Sequence, residues 1–548
     1  MPPPDAMHHL IRRAHPLRVA LHAALTIALL APAGHGLGAS PAPAPAAAPL
    51  ALQASSRTKA RARTQTKRPA RRTMRRTRAR AATPVVSIAW TSPNGLPALT
   101  ADLSRMISTK IRSGRFGVMV ASLTRGDTLF AQNAGEMMQP ASTMKLMSTA
   151  VALDRFGPEH CFSTDVLRDA PIGGDGTITG NIYLHADGDP SMSARFYHDA
   201  NLPMATLARS VAAAGVKHVK GDLVFDASAF DDHRIPDGWK TTYLGAAYAA
   251  RVSALSLNEN IVWVVVQPAG KQASVTLEPM TTTIPIRSKV RLVGGRGGRI
   301  VARRAADGGI DVSGSIGSSS GPLRYSLVVD DPALFTAGAL RAALQAAGVT
   351  VDGAVKPGKT PASAEKVASL ASPPLSRIVS EMNRESINIV AELLFRDAAR
   401  TSSDGIGTAE TGLTNLRDFM QKKVGADPQQ IRVSDGSGLS TLDFMTPRAM
   451  IHLLGYAHQG PWSSAFHGSL PVAGESELLR RRMRSTPAQG NLHAKTGTTN
   501  TVVSLAGYVT ARNGEILAFS FIYNGNDRWN AKATIDAMGA TLANFVRE

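Results

Sequence analysis

Apolar positions recur every three to four residues over 98–112 (ALTADLSRMISTKIR), which predicts an amphipathic helix. Residues 117–133 (GVMVASLTRGDTLFAQN) alternate on both sides of Arg125-Gly126-Asp127 and predict a β-hairpin. After Pro140 and Ala141, the run from Ser142 to Phe156 is almost wholly apolar, the pattern of a helix buried on all sides.

The pattern then changes. Residues 162–354 are rich in Gly and in short alternating segments. Strands are predicted at 181–188, 221–228, 261–268, 273–280, 289–294 and 309–317. A helix follows at 331–348, ended by Gly348. Helical spacing returns at 376–400 (SRIVSEMNRESINIVAELLFRDAAR). Two strands, 501–510 and 516–523, and a helix at 530–546 close the chain. The fold class is therefore mixed α/β (α+β), with a β-rich segment set inside a helix-and-sheet frame.

With 548 residues, 43% of them hydrophobic and 19% charged, the chain can bury several cores. Its net charge of +20 resembles that of a nucleic-acid binder until it is located. Residues 1–83 hold 15 Lys/Arg and one acid, Asp5, which leaves only +6 for the remaining 465 residues. No nucleic-acid partner is expected of the globular part. Arg12, Arg13 and Arg18 precede a 13-residue apolar core, Val19 to Ala31, and small residues from Gly36 to Ala39 follow. This is the order of a signal peptide, assigned to 1–39, and it predicts export to the periplasm, with peripheral association with membrane or wall. The core falls short of the roughly 20 residues that span a bilayer. A Pro/Ala tract leads to residues 57–80, with 12 Lys/Arg and no acid. Residues 40–83 are thus expected to be a disordered linker, and its basic run could touch anionic envelope polymers. Cys161, the one cysteine, excludes an internal disulfide and is expected to be a buried packing residue.

The chemistry centres on Ser142-Thr143-Met144-Lys145. One helical turn places residues i and i+3 on one face, so the Lys145 amine can reach the Ser142 hydroxyl. A serine is a weak nucleophile until a base takes its proton, and a lysine is such a base only when neutral. Burial in an apolar helix favours the neutral amine. The same spacing recurs at Ser56/Lys59 and Ser363/Lys366, where no apolar helix surrounds the lysine. Two further motifs complete a set: Ser386-Ile387-Asn388 between helical runs, and Lys495-Thr496-Gly497-Thr498 ahead of a closing strand. A rival Ser256-Leu257-Asn258 lies among strands and reads as structural. In the expected division of labour, Ser142 is the nucleophile and Lys145 the general base. Ser386 relays a proton to the leaving amine. Asn388 holds the Lys145 amine and a substrate amide. Lys495 supplies a cation, Thr496 and Thr498 bind a substrate carboxylate, and Gly497 lets the strand approach the substrate. The N–H groups of Ser142 and Thr498 form the oxyanion hole. No metal and no cofactor is expected.

From about residue 90 onward the chain resembles the serine-type D-alanyl-D-alanine carboxypeptidase/endopeptidase family, the class C low-molecular-mass penicillin-binding proteins. Besides the three motifs, the resemblance rests on Gly188-Asp189-Pro190, Gly221-Asp222-Leu223, VSALSLNEN (252–260), Asp435-Gly436-Ser437-Gly438-Leu439-Ser440, Leu470-Pro471-Val472-Ala473-Gly474 and SLAGYV (504–509). It implies a β-lactamase/transpeptidase-like domain, an antiparallel sheet flanked by helices, split between S-x-x-K and S-x-N by a nested two-domain insertion. The 240 residues between Lys145 and Ser386 match this. The parts would be 84–161 and 355–548 for the split domain, and 162–354 for the insertion, with a further domain near 261–320 inside it. The implied substrates are peptidoglycan stem peptides, and β-lactam antibiotics are implied inhibitors. Thr441 stands where family members often carry an arginine expected to hold the acidic end of a stem-peptide side chain. Glu475-Ser476-Glu477-Leu478 replaces a more usual Asp-Gly-Thr-Leu. Asp231, Asp232 and Asp237 read as exposed loop acids, with a substrate amine as their alternative partner. Two other functions compete. A class A serine β-lactamase needs a Glu-x-x-Leu-Asn segment, absent here, and a more compact chain. A non-catalytic wall-binding protein would have no use for an intact set of Ser142, Lys145, Ser386 and Lys495.

Overall fold

In a computed structural model the structure describes residues 89–400 and 405–547. The signal-like segment, the basic run 57–80 and the Ser56/Lys59 pair lie outside the described residues. Among the described residues, no helix is long and apolar enough to cross a membrane.

A five-stranded sheet organises both ends of the chain. Its order is 493–498, 502–510, 516–524, 115–122 and 128–132, with every neighbour antiparallel. The predicted hairpin and both closing strands are in it. Alternation along these strands feeds two separate cores. Val118, Val120, Leu505, Phe519 and Phe521 face the first and last helices, Leu96–Lys110 and Arg528–Ala543. Met119, Tyr508, Ala518 and Ile522 face a layer of helices that includes Lys145–Phe156, Leu375–Glu385, Asn388–Asp397 and Pro447–Gln459. Helix Lys145–Phe156 is buried over nine consecutive residues, Lys145 to Leu153, as its largely apolar sequence predicts. Full burial of side chains such as Leu146, Met147 and Leu153 stabilises the fold by roughly 1.5–3 kcal/mol each. That contribution holds a helix whose first residue is a lysine in a place lysines otherwise avoid.

Between these halves lies the β-rich segment. A second five-stranded sheet runs in the order 355–357, 223–226, 182–186, 163–168 and 365–371. Strand Glu365–Ala371 pairs antiparallel with Ser163–Arg168, so this sheet includes residues as late as 371. The weak alternation of 365–371 (EKVASLA) hides this, because it is an edge strand with one half-buried face. Within it, Lys366 pairs with Asp165, which accounts for the Ser363/Lys366 coincidence as structure. Residues 261–328 form two further three-stranded sheets, of which strands Gly298–Arg304 and Leu323–Val328 were not legible from the sequence. Helix Pro332–Ala346 follows, ending at Gly348 with φ of +83°.

The S-x-N segment lies between helical runs as expected, while one other local expectation changes. The run 376–400 is two helices, broken at Ser386 and Ile387, with Ser386 left-handed at φ 59° and ψ 46°. Cys161 is exposed, not buried. It follows the end of its helix, where His160 stacks on Phe156 and takes the packing position instead.

Candidate active site

Ser142 lies in a single 3-10 turn, Ala141–Met144, immediately ahead of helix Lys145–Phe156. Two constraints set this turn. Ala141 takes a positive φ of 49°. Pro140 presents its carbonyl to two hydroxyls, Thr143 Oγ1 at 2.8 Å and Ser504 Oγ at 2.6 Å. Ser504 belongs to the central sheet, so the turn is fastened to the neighbouring strand. The Ser142 side chain is left half-buried at the surface of the cleft.

The Lys145 amine is fully buried and donates to three acceptors: Ser142 Oγ at 3.1 Å, Asn388 Oδ1 at 2.6 Å and the Ser437 carbonyl at 2.7 Å. Burial lowers its pKa to about 8, against the opposing pull of Asp435, Glu392 and Asp443. At neutral pH a useful fraction of the amine is therefore unprotonated.

The break between two helices brings in Ser386 and Asn388. Ser386 closes helix Leu375–Glu385 in the left-handed region, and Asn388 begins the next helix. This geometry turns both side chains into the cleft. Asn388 Nδ2 donates to the Tyr248 carbonyl at 2.8 Å, which orients its amide with the oxygen towards Lys145.

Lys495 is fully buried on strand His493–Thr498 and donates to Ser386 Oγ at 2.8 Å and to the Thr496 carbonyl at 2.9 Å. Burial and the nearby Lys145 hold its pKa well below the ordinary lysine value. The strand is an edge of the central sheet and runs past the Ser142 turn. A Cβ at Gly497 would meet Ser504 Oγ at 2.2 Å, the Pro140 carbonyl at 2.8 Å and Ser142 N at 3.0 Å. The close approach of the strand to the Ser142 turn is by itself enough to require a glycine here. Thr496 is nearly buried and Thr498 exposed, both beside the cleft. Pro471 and Ala473 cover the start of the strand, through the Pro471 carbonyl to Ala494 N and Ala473 N to the Leu492 carbonyl.

Sequence reasoning quoted the Asp435–Ser440 segment without a physical role. Its structure supplies one. Asp435 is fully buried and accepts from the N–H groups of Ser437, Gly438 and Ser440 and from Trp239 Nε1 at 2.7 Å. The carboxylate winds the loop around itself and so presents the Ser437 carbonyl to Lys145. Gly438 has φ of +78°, and its α-carbon is so close to the Ala141 carbonyl that a Cβ would lie 2.0 Å from it. An Asp followed by alternating Gly and Ser is the signal from which a carboxylate-centred loop is readable. The buried pair Glu392–Arg396, at 2.9 Å on the helix that Asn388 begins, was not foreseen. Burial raises the Glu392 pKa to about 7.

Of the remaining expected residues, Thr441 is tied to the insertion through Oγ1 to the Gly238 carbonyl at 3.1 Å. Beside it opens a cavity of about 630 Å³ lined by Asp231, His233, Asp237, Glu410, Arg432 and Leu442. Asp232 is exposed. Ser256 and Asn258 are buried and bonded within their own segment, to the Ser253 and Ile261 carbonyls. No group of three or more His, Cys, Asp or Glu among the described residues is placed to hold a metal ion.

A sequence model of the D-Ala-D-Ala carboxypeptidase 3 (S13) family matches residues 99–545. A D-alanyl-D-alanine carboxypeptidase of Actinomadura sp. (strain R39) is 34% identical over 447 residues, covering 78% of this chain and 81% of that protein. The D-alanyl-D-alanine carboxypeptidase DacB of Haemophilus influenzae is 22% identical over 448 residues, covering 80% and 91%. The crystal structure of penicillin binding protein 4 (dacB) from Haemophilus influenzae superposes with a TM-score of 0.66 at 23% identity, over 81% of this chain and 98% of that one, and shares its fold.

Proposed function

The chain belongs to the D-Ala-D-Ala carboxypeptidase 3 (S13) family of serine peptidases, and from that premise we propose that Ser142 carries its acyl-transfer chemistry on peptidoglycan stem peptides. The observation that carries the assignment is the buried Lys145 amine, 3.1 Å from Ser142 Oγ with its pKa lowered to about 8.

Neutral Lys145 takes the Ser142 proton as Oγ attacks the carbonyl between two D-alanines. The C–Oγ bond forms and negative charge develops on the carbonyl oxygen. The N–H groups of Ser142 and Thr498 receive that charge, a reading supported by the packing of strand His493–Thr498 against the Ala141–Met144 turn. The C–N bond then breaks, and the proton that Lys145 took passes through the Ser386 hydroxyl to the departing amine, which leaves Lys145 neutral again; Lys495 holds that hydroxyl in place. Water releases the acyl group by the reverse path. Thr496, Thr498 and Lys495 receive the substrate carboxylate, which is present in a C-terminal D-alanine. A β-lactam carries an acyl bond and carboxylate in the same relation and acylates the same serine.

The signal-like segment 1–39 supports export, and the periplasm is the compartment in which the substrate occurs. The basic run 57–80 would add electrostatic attraction to anionic envelope polymers. Digestion of purified monomeric and cross-linked muropeptides, with products read by mass, tests the reading. Free D-alanine or resolved cross-links are expected from the wild-type chain and not from Ser142→Ala. Equal release by both would refute the assignment of Ser142.

A further inference from the structure

Residues 261–328 hold nine Lys/Arg and three Asp/Glu, so this small region accounts for the whole positive excess of residues 84–548. The excess is concentrated on one face of one sheet. Strands Ile286–Val293, Ile310–Gly317 and Gly298–Arg304 lie side by side, with 310–317 in the middle. Ile300, Ile310, Val312 and Ile316 point inward to the core. The opposite parity is solvent-facing and exposed: Arg287, Lys289 and Arg291 on one outer strand, Arg299 and Arg303 on the other.

The register fixes how these cations are arranged. Arg291 and Arg299 both pair with Ser315, Lys289 pairs with Ser313, and Arg287 and Arg303 both pair with Asp311. Two columns of cations therefore flank the Ser313 and Ser315 hydroxyls, with Asp311 at one end of the middle column. Along 287–291 successive cations are about 7 Å apart, Arg299 and Arg303 are about 13 Å apart with Val301 between them, and the columns are about 10 Å apart. Arg287 is engaged by Asp307 and Asp311. Lys289, Arg291, Arg299 and Arg303 make no ion pair with a described residue. Such a face repels itself unless an anion covers it. The face carries no aromatic side chain; Trp263 and Tyr325 belong to the other three-stranded sheet. It thus offers no platform for stacking nucleic-acid bases.

We propose that this sheet face is a docking surface for a linear, phosphate-bearing polyanion of the cell envelope, laid along the Ser313 and Ser315 hydroxyls between the two rows of cations. Arginine favours the multiple oxygens of a phosphate, and the serine hydroxyls supply neutral donors between them. The surface shares no residue with the peptidase cleft, and would hold the enzyme against its insoluble substrate's surroundings while the cleft works.

The test uses the full chain, with residues 57–80 kept in every variant, and long-chain inorganic polyphosphate as the probe. Binding is measured against salt for the wild type and for Lys289→Gln/Arg291→Gln/Arg299→Gln. The triple variant is expected to bind about tenfold more weakly, with the slope of log affinity against log salt smaller by about two. Its thermal midpoint and its release of D-alanine from a pentapeptide should be unchanged. Single variants Lys289→Gln and Arg299→Gln, each expected to lose about twofold or more, carry the test if the triple variant does not fold. Unchanged affinity and slope in the variants would overturn the proposal. So would equally tight binding of poly-glutamate or of an oligothymidylate through the same three residues.

Discussion

The Lys145 amine lies 2.6 Å from Asn388 Oδ1 across 243 residues of sequence. The partner is a neutral amide. A carboxylate at that distance would favour the charged amine and disarm it as a base. With the pKa lowered to about 8, the neutral form grows as pH rises. The rate kcat/KM should therefore climb with pH and level off above about pH 8. In Asn388→Asp the new charge raises the Lys145 pKa, so the same limb should move to higher pH by one unit or more, about 1.4 kcal/mol. Activity at pH 7 should fall about tenfold or more and recover partly in alkali. A limb that stays in place would show that another group controls the rate.

Gly497→Ala tests the contact between strand and nucleophile turn. The added methyl meets two backbone atoms and Ser504 Oγ. Overpacking of this kind costs about 1–3 kcal/mol. The larger effect is on geometry, since a shift of about 1 Å can cost about a hundredfold in rate. The variant should remain folded by circular dichroism and lose about a hundredfold in kcat/KM.

Ser386 combines a hydroxyl with left-handed backbone. Ser386→Ala and Ser386→Gly both remove the hydroxyl bonded to Lys495, and both should lose about 10²–10⁴ in kcat. They should differ in stability. Glycine relieves the positive φ and should melt above the alanine variant, by about 1 kcal/mol.

Trp239 links the insertion to the Asp435 loop. Trp239→Phe removes a hydrogen bond to a buried carboxylate, worth about 1.5–3 kcal/mol. Denaturant unfolding should show that loss. A smaller fall in kcat is expected too, because the loop carries the carbonyl that holds Lys145.

These predictions separate what the sequence made legible from what it did not. That Ser142, Lys145, Ser386, Asn388 and Lys495 would come together was readable because each lies in a motif with strong local patterning. The buried helix after Ser142 selected one S-x-x-K from three. A break at Ser386 was readable from the S-x-N between helical runs, but its left-handed turn was not legible, because only tertiary contacts select that conformation. Nor was the role of Gly497: a glycine in a strand shows that something approaches closely, but not which partner. The edge strand 365–371 was hidden by its weak alternation. The Glu392–Arg396 pair was hidden for the opposite reason: an i,i+4 pair on a helix usually reads as a solvent-facing one.

The most direct measurement is the mass of the intact, folded protein after treatment with penicillin, followed by peptide mapping. The account predicts one covalent acyl adduct, on the peptide containing Ser142 and on its Oγ, absent from Ser142→Ala. Folded wild-type protein that takes up no adduct, or that carries it on another residue, would contradict it.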